Sequence, residues 1–405
     1  MYQEVAPFHV KQGRFRSGER FPRVVDDAGI LAFDPTIYAV HVLRAREGSA
    51  GTMEAHLRAI ALLMNWAVAR GIDLRARFET LELISPSEII DLRDNLRLRV
   101  KRETSVEARA RPATIGAGSF YNRCRFVAEF ILWHARSALM RMRLGDTRLP
   151  EGRRRIEQFE RLMLENLPRG RSVGREGIDE AAQALFLQAI KSGNPLNPFQ
   201  DQHQLRNEAL LLLYYETGMR RAEALKLKGE HLIALGSSSP QVRVIRDPDD
   251  PGDPRQIEPR VKTLPRDIPI SAELAQLLLR WMGVRRDRSR YGEARKTPYV
   301  FVARTGRPLG LRTVNDMFDL LRKRIGGLPK ELVPHVLRNT ANDRFSAAAD
   351  AQGISEEHEK QARNYTMGWT KDSQQGDKYT QRHTRKRAEK VMLSMQDKSS
   401  VGKSR

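Results

Sequence analysis

The chain has 405 residues, long enough for two or three domains with cores of their own. Lysine and arginine outnumber aspartate and glutamate 71 to 50, giving a formal net charge of +21 and an isoelectric point near 10.4. That excess suits a polyanion, either nucleic acid or an anionic membrane face. The longest unbroken apolar run, residues 209–215, is far short of the ~20 residues a spanning helix needs, so no membrane partner is expected. The first ten residues show no basic stretch leading into an apolar one, so no secretory signal is expected. Cys124 is the sole cysteine, which excludes an internal disulfide and any zinc cluster of several thiolates. A soluble nucleic-acid binder in a reducing cytoplasm fits.

In chain order, residues 1–50 are expected to form an N-terminal extension with short strands: 24–29 read as a strand entering a turn, and 37–43 as another apolar stretch. Residues 52–70 form a helix, with Leu57, Ile60, Ala61, Met64 and Val68 at helical spacing and Gly71 as the stop. Ser85-Pro86-Ser87-Glu88 is a capping box with proline at the first helical position, opening a helix whose buried stripe is Ile89, Leu92 and Leu96. A third helix spans about 114–142, with Phe120, Cys124, Val127 and Ile131 on one face and Arg111, Arg123 and Arg125 on or beside it. Residues 51–166 thus make a helical domain suited to clamping a DNA duplex. Any one arginine reads as solvated surface; the collective excess reads as polyanion binding.

Residues 167–177, with one proline, three glycines and three arginines, are a basic linker. A second domain follows over 178–396, with a polar tail at 397–405. Asp179 caps a helix to Ile190, residues 205–215 form an apolar helix, and Thr217-Gly218 ends it. Arg220 opens a short helix that holds Glu223. Residues 241–246 and 266–270 alternate as strands around the turn-forming run 247–254, with Lys262 on the returning arm. Helices over 272–286 and 311–325 come next. The fold class is mainly α with a small β-sheet, α+β.

Four short motifs carry the functional reading: T-G-M-R-R-A-E-A-L (217–225), P-H-V-L-R (334–338), M-G-W (367–369) and D-K-Y-T (377–380). His335 and Arg338, three apart, project from one helical face. In this order the motifs resemble the tyrosine recombinase, or phage integrase, family, whose pattern is Arg, Lys, His-x-x-Arg, His/Trp, Tyr. The resemblance implies a catalytic set of Arg220, Lys262, His335, Arg338, Trp369 and Tyr379, with Tyr379 as nucleophile, Glu223 bracing the first arginine box, and neither metal nor cofactor. It implies a helical core-binding domain joined by the linker to a catalytic domain, enclosing DNA between them. Asn339 departs from the pattern, standing where many members have a second histidine. Tyr365 is a competing tyrosine, but it precedes the Gly-Trp pair.

These residue types suit the chemistry. A tyrosine forms a phosphodiester that the released 5′ hydroxyl can reverse. Two guanidinium groups grip phosphate oxygens and stay charged. A lysine and a histidine exchange protons with the bridging oxygens. The reading is a site-specific DNA recombinase that integrates or excises a mobile element through a 3′-phosphotyrosine. Its partners would be double-stranded DNA, further copies in a tetramer on that DNA, and accessory proteins. A type IB topoisomerase and an inactive DNA-binding regulator on the same fold are the alternatives. A metal-dependent nuclease is disfavoured, since no paired Asp/Glu site appears.

Overall fold

The structure, a computed structural model, describes residues 7–46, 49–99, 114–168, 170, 176–378 and 380–401. The chain divides into two compact units, residues 1–172 and 173–405, each with its own hydrophobic core. It is mainly α with two small antiparallel sheets.

The first unit opens with a hairpin of β1 (His9–Arg14) and β2 (Arg20–Val25), followed by α1 (Phe33–Tyr38) and a π-helical turn, Ala39–Arg44. The apolar stretch 37–43 is therefore helical. Its buried residues Tyr38, Ala39, Val42 and Leu43 repeat every four positions, a period a strand cannot bury on one face. Phe21, Val24 and Tyr38 join the same core as the helices that follow, so these residues are part of the unit rather than an extension. Next come α2 (Ala50–Ala69), α3 (Leu74–Thr80), α4 (Pro86–Arg97), α5 (Ala117–Arg141) and α6 (Leu149–Leu164).

Ser85 and Glu88 close the capping box of α4, and Ile89, Leu92 and Leu96 are buried. Phe120, Cys124, Val127 and Ile131 are buried on α5. Arg111 lies outside the described residues, as do 169 and 171–175 of the linker. Helices α3 and α6 had no counterpart in the sequence reading. In α6 the buried Gly152, Ile156, Phe159 and Met163 are spaced four, three and four apart, a helical period masked by five arginines and glutamates interleaved before Phe159.

Two histidines in this core are held neutral. His56 stacks on Phe126 at 3.6 Å between ring centroids, and His134 on Phe78 at 4.9 Å. Burial first, then Arg125 and Arg46 nearby, pushes His56 down to about 4. Burial likewise pushes His134 down to about 4. Between pH 6.5 and 4 the unfolded histidines bind protons that the folded ones refuse, so stability rises with pH across that window. Urea unfolding followed by tryptophan fluorescence is expected to show a lower midpoint at pH 5 than at pH 7; an unchanged midpoint would overturn this.

The second unit runs α7 (Glu180–Ile190), α8 (Asp201–Thr217), α9 (Arg221–Lys226), β3 (Leu232–Ile233), β4 (Gln241–Val244), β5 (Arg266–Pro269), α10 (Ala272–Val284), α11 (Arg288–Tyr291), α12 (Leu311–Arg324), α13 (Pro334–Ala351), α14 (Glu356–Met367) and α15 (Gln381–Val401). Asp179 caps α7 by accepting from the Ala182 amide at 2.8 Å. Helix α8 is the central element: its Leu210, Leu211, Leu213 and Tyr214 are inaccessible to solvent, and α7, α10 and α13 pack around it. Strands β3, β4 and β5 form an antiparallel sheet, with Leu232 opposite Val242 and Val242 opposite Ile268. Among the described residues no helix is long and apolar enough to cross a membrane.

The Asp/Pro-rich connection between β4 and β5 folds inward. Lys226, 3% exposed, pairs with Glu258; Lys228 pairs with Asp250 at 3.1 Å, and Arg255 with Asp253 at 2.7 Å. The Tyr299 hydroxyl donates to Asp250 at 2.9 Å. A single buried lysine draws three carboxylates towards it, because a buried charge without partners is far costlier than a paired one.

Candidate active site

The site grows from two helix ends. Helix α8 stops at Gly218, whose φ of +60° is the left-handed C-cap conformation, and a Cβ there would lie 2.8 Å from the Ala341 methyl. The Thr217 hydroxyl donates to the Leu213 carbonyl at 2.6 Å and accepts from the Met219 amide. Arg220 then caps α9: its backbone N–H donates to Glu223 Oε2 at 2.7 Å, while its side chain, 28% exposed, places Nη1 3.7 Å from Glu223 Oε1.

Glu223 is 1% exposed and anchors the site. Arg266 reaches its Oε2 at 3.0 Å, and the Thr263 hydroxyl donates to Oε1. Burial opposes ionisation, but Arg266, Arg338 and the Thr263 hydroxyl outweigh it and hold the carboxyl below the usual glutamate range. Glu223 therefore braces rather than exchanges protons near neutrality.

The second helix end is that of α14. Gly368, φ +66°, terminates it, and the Trp369 amide donates to the Asn364 carbonyl at 2.8 Å. Trp369 is buried. Arg338, one turn into α13 behind Pro334, ties the two helix ends together. Its Nη1 donates to the Gly218 carbonyl at 2.7 Å and its Nη2 to the Met367 carbonyl at 3.0 Å. Its guanidinium lies 5.2 Å from the Trp369 ring centroid, within cation–π range. His335 is exposed in the first turn of the same helix, and Asn339 is buried beside Arg338.

Arg220, Arg338 and Trp369 thus come from three segments into one neighbourhood, and His335 stands three residues before Arg338 on the same helix. Lys262 differs from expectation. It does not lie on a strand arm but in the connection before β5, exposed, between the buried Val261 and Thr263. The inward fold of the acidic connection delays the ladder until Arg266. The connection is nonetheless fixed to the site, since the Leu264 amide donates to the Gly368 carbonyl at 3.0 Å. Tyr379 lies outside the described residues, between the 3₁₀ turn Gln375–Lys378 and α15. The competing Tyr365 is 62% exposed on α14.

Arg266 and Thr263 were not singled out by sequence. A signal existed for Arg266: in 266–270 the buried positions are Arg266, Ile268 and Ile270, so an arginine occupies the inward face of a strand.

A profile of the phage integrase family matches residues 182–382. The tyrosine recombinase XerC of Xanthomonas campestris pv. campestris (strain B100) is 24% identical over 338 residues, covering 82% of this chain and 80% of that protein. The fold is similar to that of XerH site-specific recombinase, solved bound to its palindromic difH substrate as a post-cleavage complex. The TM-score is 0.53 at 14% identity, over 90% of this chain and 86% of that one. Residues 182–382 of the chain belong to the phage integrase (tyrosine recombinase) family, and the protein is a site-specific recombinase.

Proposed function

We propose that this recombinase cleaves and rejoins double-stranded DNA through a 3′-phosphotyrosine, integrating or excising a mobile element, with Tyr379 as nucleophile. The phenolic oxygen attacks phosphorus and gives up its proton, the P–O5′ bond breaks, and the departing 5′ oxygen takes a proton. Lys262 supplies that proton, the role suited to an exposed ammonium beside a fixed backbone, and His335 exchanges protons at the same phosphate. Arg220 grips the non-bridging oxygens. Arg338 is the second guanidinium of the set and braces the Gly218 and Met367 turns beside Trp369. The observation that carries the reading is the joining of the Arg220, Lys262, Arg338 and Trp369 segments through Glu223, Arg338 and the Leu264–Gly368 hydrogen bond.

The XerH structure is of a DNA complex, and the net charge of +21 favours the same class of partner here. The test is trapping: the full chain is incubated with element-end duplexes nicked beside the cleavage site, and a denaturation-resistant protein–DNA adduct is expected. No adduct with any element end would overturn the reading. Relaxation of arbitrary supercoiled plasmid would instead favour a type IB topoisomerase.

A tetramer on DNA is part of the same proposal. The base of α15 is held to its own unit by His383 with Asp350 at 2.9 Å, Arg387 with Glu356 at 3.2 Å and Arg385 with Glu176 at 2.9 Å. Beyond it, Ala388, Val391, Met392 and Met395 recur at i, i+3, i+4 and i+7 and are exposed along one face of the helix, a surface suited to a neighbouring protomer. Truncation after Thr384 is expected to leave a folded protein that binds a half-site but fails to form the four-protomer complex on native gels. Full strand exchange by the truncated chain would overturn this.

A further inference from the structure

We propose that Arg266 is a positioning residue for strand cleavage, holding three site-bearing segments in one register. The inference rests on the reading above of Arg220, Lys262 and Trp369 as site residues.

The Arg266 side chain is 1% exposed, and all three of its guanidinium nitrogens are engaged. Nε donates to the Thr366 carbonyl at 2.6 Å. Nη2 donates to Glu223 Oε2 at 3.0 Å, and Nη1 to the Thr263 hydroxyl at 3.1 Å. Each partner adjoins a site residue. Glu223 holds the Arg220 amide, Thr263 follows Lys262, and Thr366 opens the turn that carries Trp369. Gly368 completes the fit, because a Cβ at that position would lie 2.5 Å from Arg266 Nη1. The glycine of M-G-W is therefore required by its left-handed backbone and by the arginine beneath it.

Stability alone does not call for an arginine here. The neighbouring inward positions are Ile268 and Ile270, and replacing a buried ion pair by well-packed apolar groups is often neutral or stabilising. What the planar fork supplies, and an ammonium or a methyl group cannot, is three fixed directions at once.

The test uses the full chain on the nicked duplex, measuring single-turnover adduct formation, duplex affinity and the unfolding midpoint side by side. Arg266→Lys is expected to cleave on the order of 100-fold more slowly, as an ~1 Å misplacement does, with affinity nearly unchanged. Arg266→Ala is expected to lose more and to recover part of its rate with millimolar methylguanidinium. Wild-type cleavage by the folded Lys variant would overturn the proposal, as would a slow rate accompanied by an equal loss of affinity. Should the Ala variant fail to fold, Thr263→Val removes one arm at constant volume: slowed cleavage at unchanged affinity supports the proposal, and a wild-type rate overturns it. Failure of the underlying reading looks different, since the unmodified chain would then give no adduct at all.

Discussion

Replacing Tyr379 with phenylalanine is expected to leave duplex binding intact and to abolish the covalent adduct. The substitution removes only the oxygen that bonds to phosphorus, and nothing else in the set, Arg220, Lys262, His335, Arg338 or Trp369, offers an oxygen nucleophile. Binding is spread over many phosphate contacts by a chain with 71 basic residues, so the loss of one hydroxyl should not register there. Denaturing gels of protein incubated with the nicked duplex make the measurement. An adduct that persists in Tyr379→Phe and disappears in Tyr365→Phe would transfer the nucleophile to the exposed tyrosine of α14. The adduct should also form in excess EDTA; a strict requirement for a divalent ion would remove the proposed mechanism.

The two arginines should fail in different ways. Arg220→Ala is expected to lower the cleavage rate by about 100-fold or more, the usual consequence of losing one preorganised donor to a developing oxyanion. Its side chain is partly exposed, and Glu223 keeps Arg266 and Thr263, so the fold should hold. Arg338→Ala should lose at least as much rate and also stability. It strands the Gly218 and Met367 carbonyls in the interior, at about 1–3 kcal/mol for each buried polar group left unsatisfied. Parallel single-turnover and chemical-unfolding measurements separate the cases. Equal unfolding midpoints for the two variants would contradict the difference in burial.

Much of this was legible in the sequence because the decisive signals are local. Ser85-Pro86-Ser87-Glu88, Asp179 and Gly218 each fix a helix end with groups a few positions apart, and the structure places all three as read. The α5 stripe was legible for the same reason. The π-turn over 39–44 was not, because a short, mostly apolar stretch suits a strand or a helix until its partner surface is known. The inward fold of residues 247–258 was hidden for another reason. Asp, Pro and Gly mark a turn whether or not it is solvated, and only the buried Lys226 decides the matter. At the site the motif residues could be named from their order, but Arg266 and Thr263 bond across 43 and 40 positions to Glu223. No short spacing records such a link.

The grip of Arg338 carries a consequence for how the chain can drift. Both acceptors are main-chain carbonyls, one from Gly218 and one from Met367, so the clasp does not depend on which side chain stands at 367. It depends on two helix ends turning through left-handed glycines at 218 and 368 and on one guanidinium between them. Mutation can therefore exchange most of the surrounding apolar residues, provided volume is kept, without loosening the clasp. Any residue with a Cβ at 218 or 368 would unfasten it, and those two positions, neither of which touches phosphate through a side chain, should be the least permissive in a saturation library of the catalytic unit.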